Sequence, residues 1–296
     1  MVDDHTKALS AIAKAHDATT MFHGFIYFAP EAAAAYQELG VRGRAGYFAS
    51  RSAAMGEVPA EVVVATFYNF SPDVVQRAMA DVWETTSASD FQLARWSAAV
   101  KVFDSWVRPA VGADSVEEAI EIVEPVVAAL AWPGRPLAAA NAAGLGQLAA
   151  SAFREDRLLR LWQLVTILRE WRGDAHIGLL VAEPLDGAEC SVVSEAVAGL
   201  APGAIRSSRG WSESDWATAV ERLVERDWAS EDGSITATGR QRRADIETRT
   251  NELSRQLWGT ASEADVNRLG ELLAPANKAL LQGNYFAAIG RPARSS

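Results

Sequence analysis

The chain has 296 residues, with 28 Lys and Arg against 38 Asp and Glu, for a formal charge of −10. With 49% hydrophobic and 22% charged residues it can bury a core and is not a disordered polymer. The lone Cys190 excludes a disulfide framework and a cysteine-rich zinc site, and the acid excess argues against broad electrostatic attraction to nucleic acid or anionic lipid.

The opening Met1-Val2-Asp3-Asp4-His5 is acidic and polar, unlike the charged n-region and apolar core of a signal peptide. Leu9, Ile12 and Ala13 then mark a first helical face. Pro30 opens a short Ala-rich helix to Leu39, with Gly40 where a terminating glycine belongs. Ser71-Pro72-Asp73 reads as an N-cap followed by proline in the first turn. Ser115 with Glu118 makes a capping box ahead of Ala119, Ile122 and Val126, and Pro125 should kink or split that helix. The most apolar window, Ile122 to Trp132, carries Glu124 and Pro125 and is too short to span a bilayer. A soluble, cytoplasmic protein with no membrane partner is expected.

From Phe153 to Trp171 an amphipathic helix is expected, with Leu158, Leu161, Trp162, Val165, Ile167 and Leu168 as its apolar surface. Gly173 is placed to end it, and Asp174 to cap a following helix through Ile177, Leu180 and Val181. The texture changes at Ala201-Pro202-Gly203. Ser212-Glu213-Ser214-Asp215 starts a helix to about Arg226, Asp232-Gly233 turns a short hairpin between Trp228 and Thr236, and a long helix follows from Thr238. The expected fold is therefore mainly α. A helical domain over residues 1–200, carrying a ligand-binding or catalytic site, precedes a winged-helix-like module with a small β-hairpin and C-terminal helices over 201–296.

The stretch Ala217 to Thr250, with Val220-Glu221-Arg222-Leu223-Val224-Glu225-Arg226 and Ile235-Thr236-Ala237-Thr238-Gly239-Arg240, resembles the second half of a MarR-type winged helix. The whole chain resembles an actinobacterial group described as a helix-turn-helix family. That wider likeness is carried by His23 to Glu31, Arg44 to Arg51, Ala65 to Pro72 and Arg172 to His176. It implies a helical N-terminal domain and a C-terminal winged helix, and no particular reaction or ligand. The charge pattern departs from a DNA reader: residues 206–256 hold nine basic and ten acidic side chains, and Glu213, Asp215, Glu221 and Glu225 share the candidate recognition helix with Arg222 and Arg226. Phosphate neutralisation has little surplus to draw on there, so DNA is a disfavoured partner.

Standard catalytic signatures are absent: no nucleophile elbow, phosphate-binding loop, zinc helix or EF-hand. Gly144-Leu145-Gly146 lacks the strand and third glycine of a nucleotide fingerprint, and Cys190 reads as a buried inert thiol. What remains is polarity set into apolar segments. His23 lies among Met21, Phe22, Phe25 and Ile26; Tyr27 with Glu31 and Tyr47 with Arg51 are each four apart; Asn69 sits within Phe67-Tyr68-Asn69-Phe70; Arg172, Asp174 and His176 flank Gly173. Histidine can move protons near neutral pH, a carboxylate can fix its tautomer, and arginine can grip an anion. His23, His176 and Asp174 are the candidate catalytic residues. Tyr27, Glu31, Tyr47, Arg51, Asn69 and Arg172 are the candidate ligand contacts. His23 or His176 could alternatively ligate a metal or haem, or make ordinary core hydrogen bonds.

Three functions stand open. The first is an enzyme acting on a small anionic or aromatic molecule in the helical domain. It leads because the unusual polar residues lie outside the DNA-reading module. The second is a ligand-responsive MarR-like regulator, and the third a non-catalytic binding or interaction protein. A homodimer is expected.

Overall fold

The computed structural model describes residues 4–286; the first three residues of the acidic start and residues 287–296 lie outside them. The described chain is mainly helical. In order it forms α1 (Asp4–Gly24), α2 (Pro30–Glu38), α3 (Gly43–Ser52), α4 (Ala60–Thr66), α5 (Pro72–Met79), α6 (Val82–Thr85), α7 (Ala88–Val102), α8 (Ala113–Ala128), α9 (Pro136–Ala149), α10 (Arg157–Ala182), α11 (Gly187–Ala198), α12 (Ala204–Arg209), α13 (Glu213–Glu225), α14 (Ala237–Leu257) and α15 (Glu263–Gln282). A π-helical turn, Phe103–Val107, continues α7. Among the described residues no helix is long and apolar enough to cross a membrane.

Packing groups these helices into two compact units of interleaved segments, rather than dividing the chain near residue 200. Unit 1 takes Met1–Glu57, Val82–Asp174 and Asn251–Ser296; unit 2 takes Val58–Asp81 and Ala175–Thr250. Periodicity along the chain identifies helices but carries no record of which of them pack together.

In unit 1, α1 lies along α15 and α2 against α7. An aromatic knot fills the interior: Phe25 meets Phe103 and Trp162 with ring centroids 5.5 and 5.9 Å apart, and Phe22 stacks on Phe103 at 6.1 Å. α10 runs through this core. Every residue from Leu161 to Leu168 is buried, so the helix is enclosed all round instead of amphipathic. It also begins at Arg157 and continues unbroken past Gly173, where an end was expected. Glycine weakens a helix by only about 1 kcal/mol, and enclosure outweighs that. Asp174 accordingly starts no helix of its own. Its Oδ2 accepts from the backbone N–H of Leu137 and Ala138 at 3.1 and 3.0 Å, capping α9 from outside. Likewise α8 passes through Pro125 without splitting, one turn before its end, and it begins at Ala113 with Gly112 as N-cap, leaving the expected Ser115–Glu118 box inside the helix.

In unit 2, α11 packs on α12 and α13. Here the local signals are met: Ser212 and Asp215 form a reciprocal capping box on α13, and Asp186 with Glu189 does the same on α11. Glu189 then binds across to α13, accepting from Arg222 Nε at 3.0 Å and Arg226 Nη2 at 2.6 Å. The expected β-hairpin is corrected to a turn. Ala229 and Ile235 make one isolated antiparallel bridge, and no strand forms among the described residues. Gly233, with φ at +79°, supplies the turn. The ladder goes no further because Thr236 caps the following helix at once, its Oγ1 accepting from Gly239 N–H at 2.9 Å.

Gly239 also has no room for a side chain: a Cβ there would fall on the Trp228 carbonyl oxygen. Gly239→Ala should therefore destabilise unit 2 by roughly 1–3 kcal/mol. Hydrogen exchange should show protection lost at the 228–240 turn and the start of α14, with α1 and α15 unchanged.

Candidate functional site

The enclosed helix α10 carries a polar stripe on one side: Gln163, Thr166 and Glu170, all buried. These are the groups around which unit 1 assembles a charged cluster. His23, at the end of α1 and only 1% exposed, faces Thr166 with Nδ1 2.9 Å from Oγ1. Gly24 closes α1 and the chain turns through the 3-10 segment Phe25–Tyr27, bringing the Tyr27 hydroxyl to 2.5 Å from His23 Nε2. Trp162 lies parallel to the imidazole, ring centroids 6.4 Å apart, and donates its indole N–H to the His23 carbonyl at 3.3 Å.

The tautomer follows from counting protons. Thr166 has one hydroxyl proton, donated to the Trp162 carbonyl at 2.8 Å. Its oxygen must then accept from His23, so Nδ1 carries the proton and Nε2 presents a lone pair to the Tyr27 hydroxyl. The imidazole is neutral. Burial, the dominant influence, pushes its pKa well below the ordinary 6.5; the Glu170 carboxylate opposes this, and Arg169, Arg95 and Arg51 add to it.

Glu170, with its side chain 5% exposed, is the anion of the cluster. Oε2 accepts from Arg169 Nη1 at 2.6 Å, and Oε1 faces Arg51 Nη2 at 3.4 Å and His23 Nε2 at 3.5 Å. Burial alone would raise its pKa, but Arg169 and Arg51 outweigh it and hold the group down to about 2. The guanidinium of Arg51 donates to the Tyr47 hydroxyl at 2.8 Å and lies 4.7 Å from the Tyr27 ring centre. Arg95 of α7 sits between the rings of Tyr27 and Trp162, at 5.4 and 5.0 Å.

Beside this cluster lies a cavity of about 170 Å³ between the faces of α2 and α3. Tyr27, Tyr47 and Ser50 line it and also border the cluster, so they form the shared wall.

Of the residues singled out in the sequence, His23, Tyr27, Tyr47 and Arg51 are thus brought together. The Tyr47–Arg51 spacing is met by a hydrogen bond, whereas the Tyr27–Glu31 spacing is not: Pro30 turns Glu31 away from Tyr27, to accept from Tyr285 at 2.9 Å. Arg172 bonds Asn251 at 3.0 Å, and Asp174, whose pKa burial raises to about 6 against its two amide donors, is the cap of α9. Asn69 and His176 belong to unit 2. The Asn69 carbonyl accepts from Trp211 and Ser191, and His176 Nδ1 meets Thr250 Oγ1 at 2.9 Å. Each histidine thus meets a threonine of its own unit, His23 with Thr166 and His176 with Thr250. Both ring nitrogens of His23 are engaged by protein groups. Among the described residues no cluster of three or more His, Cys, Asp or Glu is arranged to hold a metal ion. Cys190 is buried, and burial pushes its thiol up to about 12, an inert core group. Sequence reasoning missed Thr166, Glu170, Arg95 and Arg169. The available signal was the 163, 166, 170 spacing of polar residues in an otherwise apolar helix.

A mainly helical chain with a capped helix pair and a short closed turn before a long helix fits the helix-turn-helix class in shape. A model of the helix-turn-helix family matches residues 12–287, and the chain belongs to that family. Comparison with curated proteins and with solved structures gives no match.

The buried pair has a pH signature. Unfolded, His23 titrates near 6.5; folded, it titrates lower, so on acidification the unfolded state takes up the proton first. Its contribution to stability is complete above pH 6.5 and is lost as the pH falls towards the folded value. Glu170, held at about 2 against 4.5, adds a second loss below pH 4.5. Urea midpoints should fall between pH 7.5 and 5, and His23→Gln should flatten that upper step while leaving the lower one in place.

Proposed function

We propose that unit 1 binds a small organic molecule in the cleft between α2 and α3 and acts on it by acid/base chemistry, with Tyr27 and His23 as the proton-transferring pair. The observation that carries this reading is the fixed tautomer. Thr166 commits Nδ1, so Nε2 is a base already aligned with the Tyr27 hydroxyl, and Tyr27 belongs to the cleft wall. A ligand proton would pass to the Tyr27 oxygen as the tyrosine's own proton moves to Nε2. The tyrosine stays neutral and the imidazolium forms 3.5 Å from Glu170, whose charge stabilises it. Return of the proton reverses both transfers. Arg51 and Tyr47 position the pair.

Incubating the chain with a metabolite mixture in D2O, followed by mass spectrometry of the small molecules, tests the reading. Even reversible proton transfer then leaves a deuterium on the substrate. At least one solute should gain deuterium or be consumed with the wild type and with neither Tyr27→Phe nor His23→Gln. Equal activity in the variants overturns the assignment, and a wild type that binds but exchanges nothing leaves a binding protein.

Family membership favours a second reading, a ligand-responsive transcription regulator in which unit 2 is a MarR-type winged helix acting as a homodimer. The charge arrangement weighs against it. Arg222 and Arg226 are occupied by Asp186 and Glu189, while the exposed side of α13 presents Glu213, Asp215, Glu221 and Glu225. Fluorescence anisotropy with the DNA upstream of its own gene should show no tight binding at low salt. Binding that weakens steeply as salt rises would promote the regulator.

A further inference from the structure

The cleft wall is made of small residues and rings. From α3 come Gly43, Gly46, Tyr47 and Ser50, spaced so that one helix face supplies them all; from the opposite side come Ala29, Ala32, Ala33 and Tyr36. The volume of about 170 Å³ fits one ring, since a cavity of about 150 Å³ accommodates benzene. Behind that wall stands a cation that makes no ion pair among the described residues. Arg95 is 4% exposed, its Nη1 donates to the Ser50 carbonyl at 3.3 Å, and its other contacts are the faces of Tyr27 and Trp162. The nearby carboxylate, Glu170, is already shared between Arg51 and Arg169. A buried guanidinium whose direct partners among the described residues are neutral is a standing electrostatic cost, which an anion at the adjoining wall would offset. The start of α3 adds to the same field: its N-cap, Arg42, gives no side-chain cap, and Gly43 of its first turn lines the cleft.

Building on the reading of this cleft as the ligand site, we infer that it takes a single-ring aromatic carboxylate, the ring among Tyr27, Tyr36 and Tyr47 and the carboxylate drawn by the field of Arg95. Proton transfer at Tyr27 would then act on a substrate held in place by its own charge.

Calorimetric titration with benzoate and with benzamide, alike in shape and different in charge, tests this on the full chain. The wild type should bind benzoate at least about tenfold more tightly, the worth of one charge-assisted interaction. Arg95→Gln should remove that preference while keeping benzamide affinity, and Arg95→Lys should retain part of it. Ala33→Phe, on the lining of the cleft, should block both probes. Equal binding of the two probes by the wild type overturns the anionic inference and leaves the cleft reading intact; this comparison decides even if Arg95→Gln fails to fold. Binding of neither probe, or benzoate binding untouched by Ala33→Phe, overturns the cleft reading as well.

Discussion

Glu170 is a carboxylate enclosed in a helical core, and the arrangement of unit 1 follows from what it takes to keep it charged there. An isolated anion at that depth would protonate or unfold its surroundings. It survives because Arg169 of its own helix and Arg51 of α3 reach it, with His23 of α1 beside the same oxygen. One acidic side chain thereby ties three helices at fixed distances. The same charge bears on the imidazole: the arginines and the dry surroundings keep His23 neutral, and Glu170 is the group that would steady it once protonated. The positions of these helices therefore rest on a single ion-pair network, and a neutral isostere at 170 would keep the shape of the contacts while removing the charge that Arg51 and Arg169 share.

Unit 2 uses its arginines differently. Arg222, Arg226 and Arg249 pair with acidic neighbours, Arg242 donates to the Arg226 carbonyl, and Arg240 donates to the Ile235 carbonyl. Several cationic groups of the kind a nucleic-acid reader offers to phosphate are here engaged by acceptors within the unit. Membership of a helix-turn-helix family describes the order of helices, whereas function lives in the side chains set upon them. The contrast between a charge-neutralised helix pair and an arginine-rich interior in unit 1 is why the small-molecule reading stands ahead of the DNA-reading one.

How much could be read from the chain depended on the range of the forces involved. Helix starts set by neighbouring residues were legible: Pro30, Ser71-Pro72 and Ser212 with Asp215 all open helices where expected. Stops were less so, because Gly173 and Pro125 carry local penalties smaller than the gain from packing the whole helix. The hairpin failed for a related reason: Asp232-Gly233 specifies a turn, but a ladder needs residues on either side that are free of other duties, and Thr236 is already a cap. In the site, Tyr47 with Arg51 was visible because the partners lie four residues apart, while the equally short His23–Tyr27 link was passed over for Tyr27 with Glu31. Glu170, Thr166 and Arg95 act on groups from distant segments, and one-dimensional polarity names a buried group without naming its partner. His176 shows the same limit, since its polarity suggested a shared pocket and its threonine is 74 positions off.

The width of the cleft is set by side chains that are missing. Gly46 lets the Tyr36 ring lie so near the α3 backbone that a methyl there would sit 3.1 Å from it, and the facing wall is largely alanine. In the proposed reading the width of the cleft is thus set by glycines and alanines while the proton pair is His23 with Tyr27, so that a change at a small residue would alter which ligands fit and leave the His23–Tyr27 contact in place.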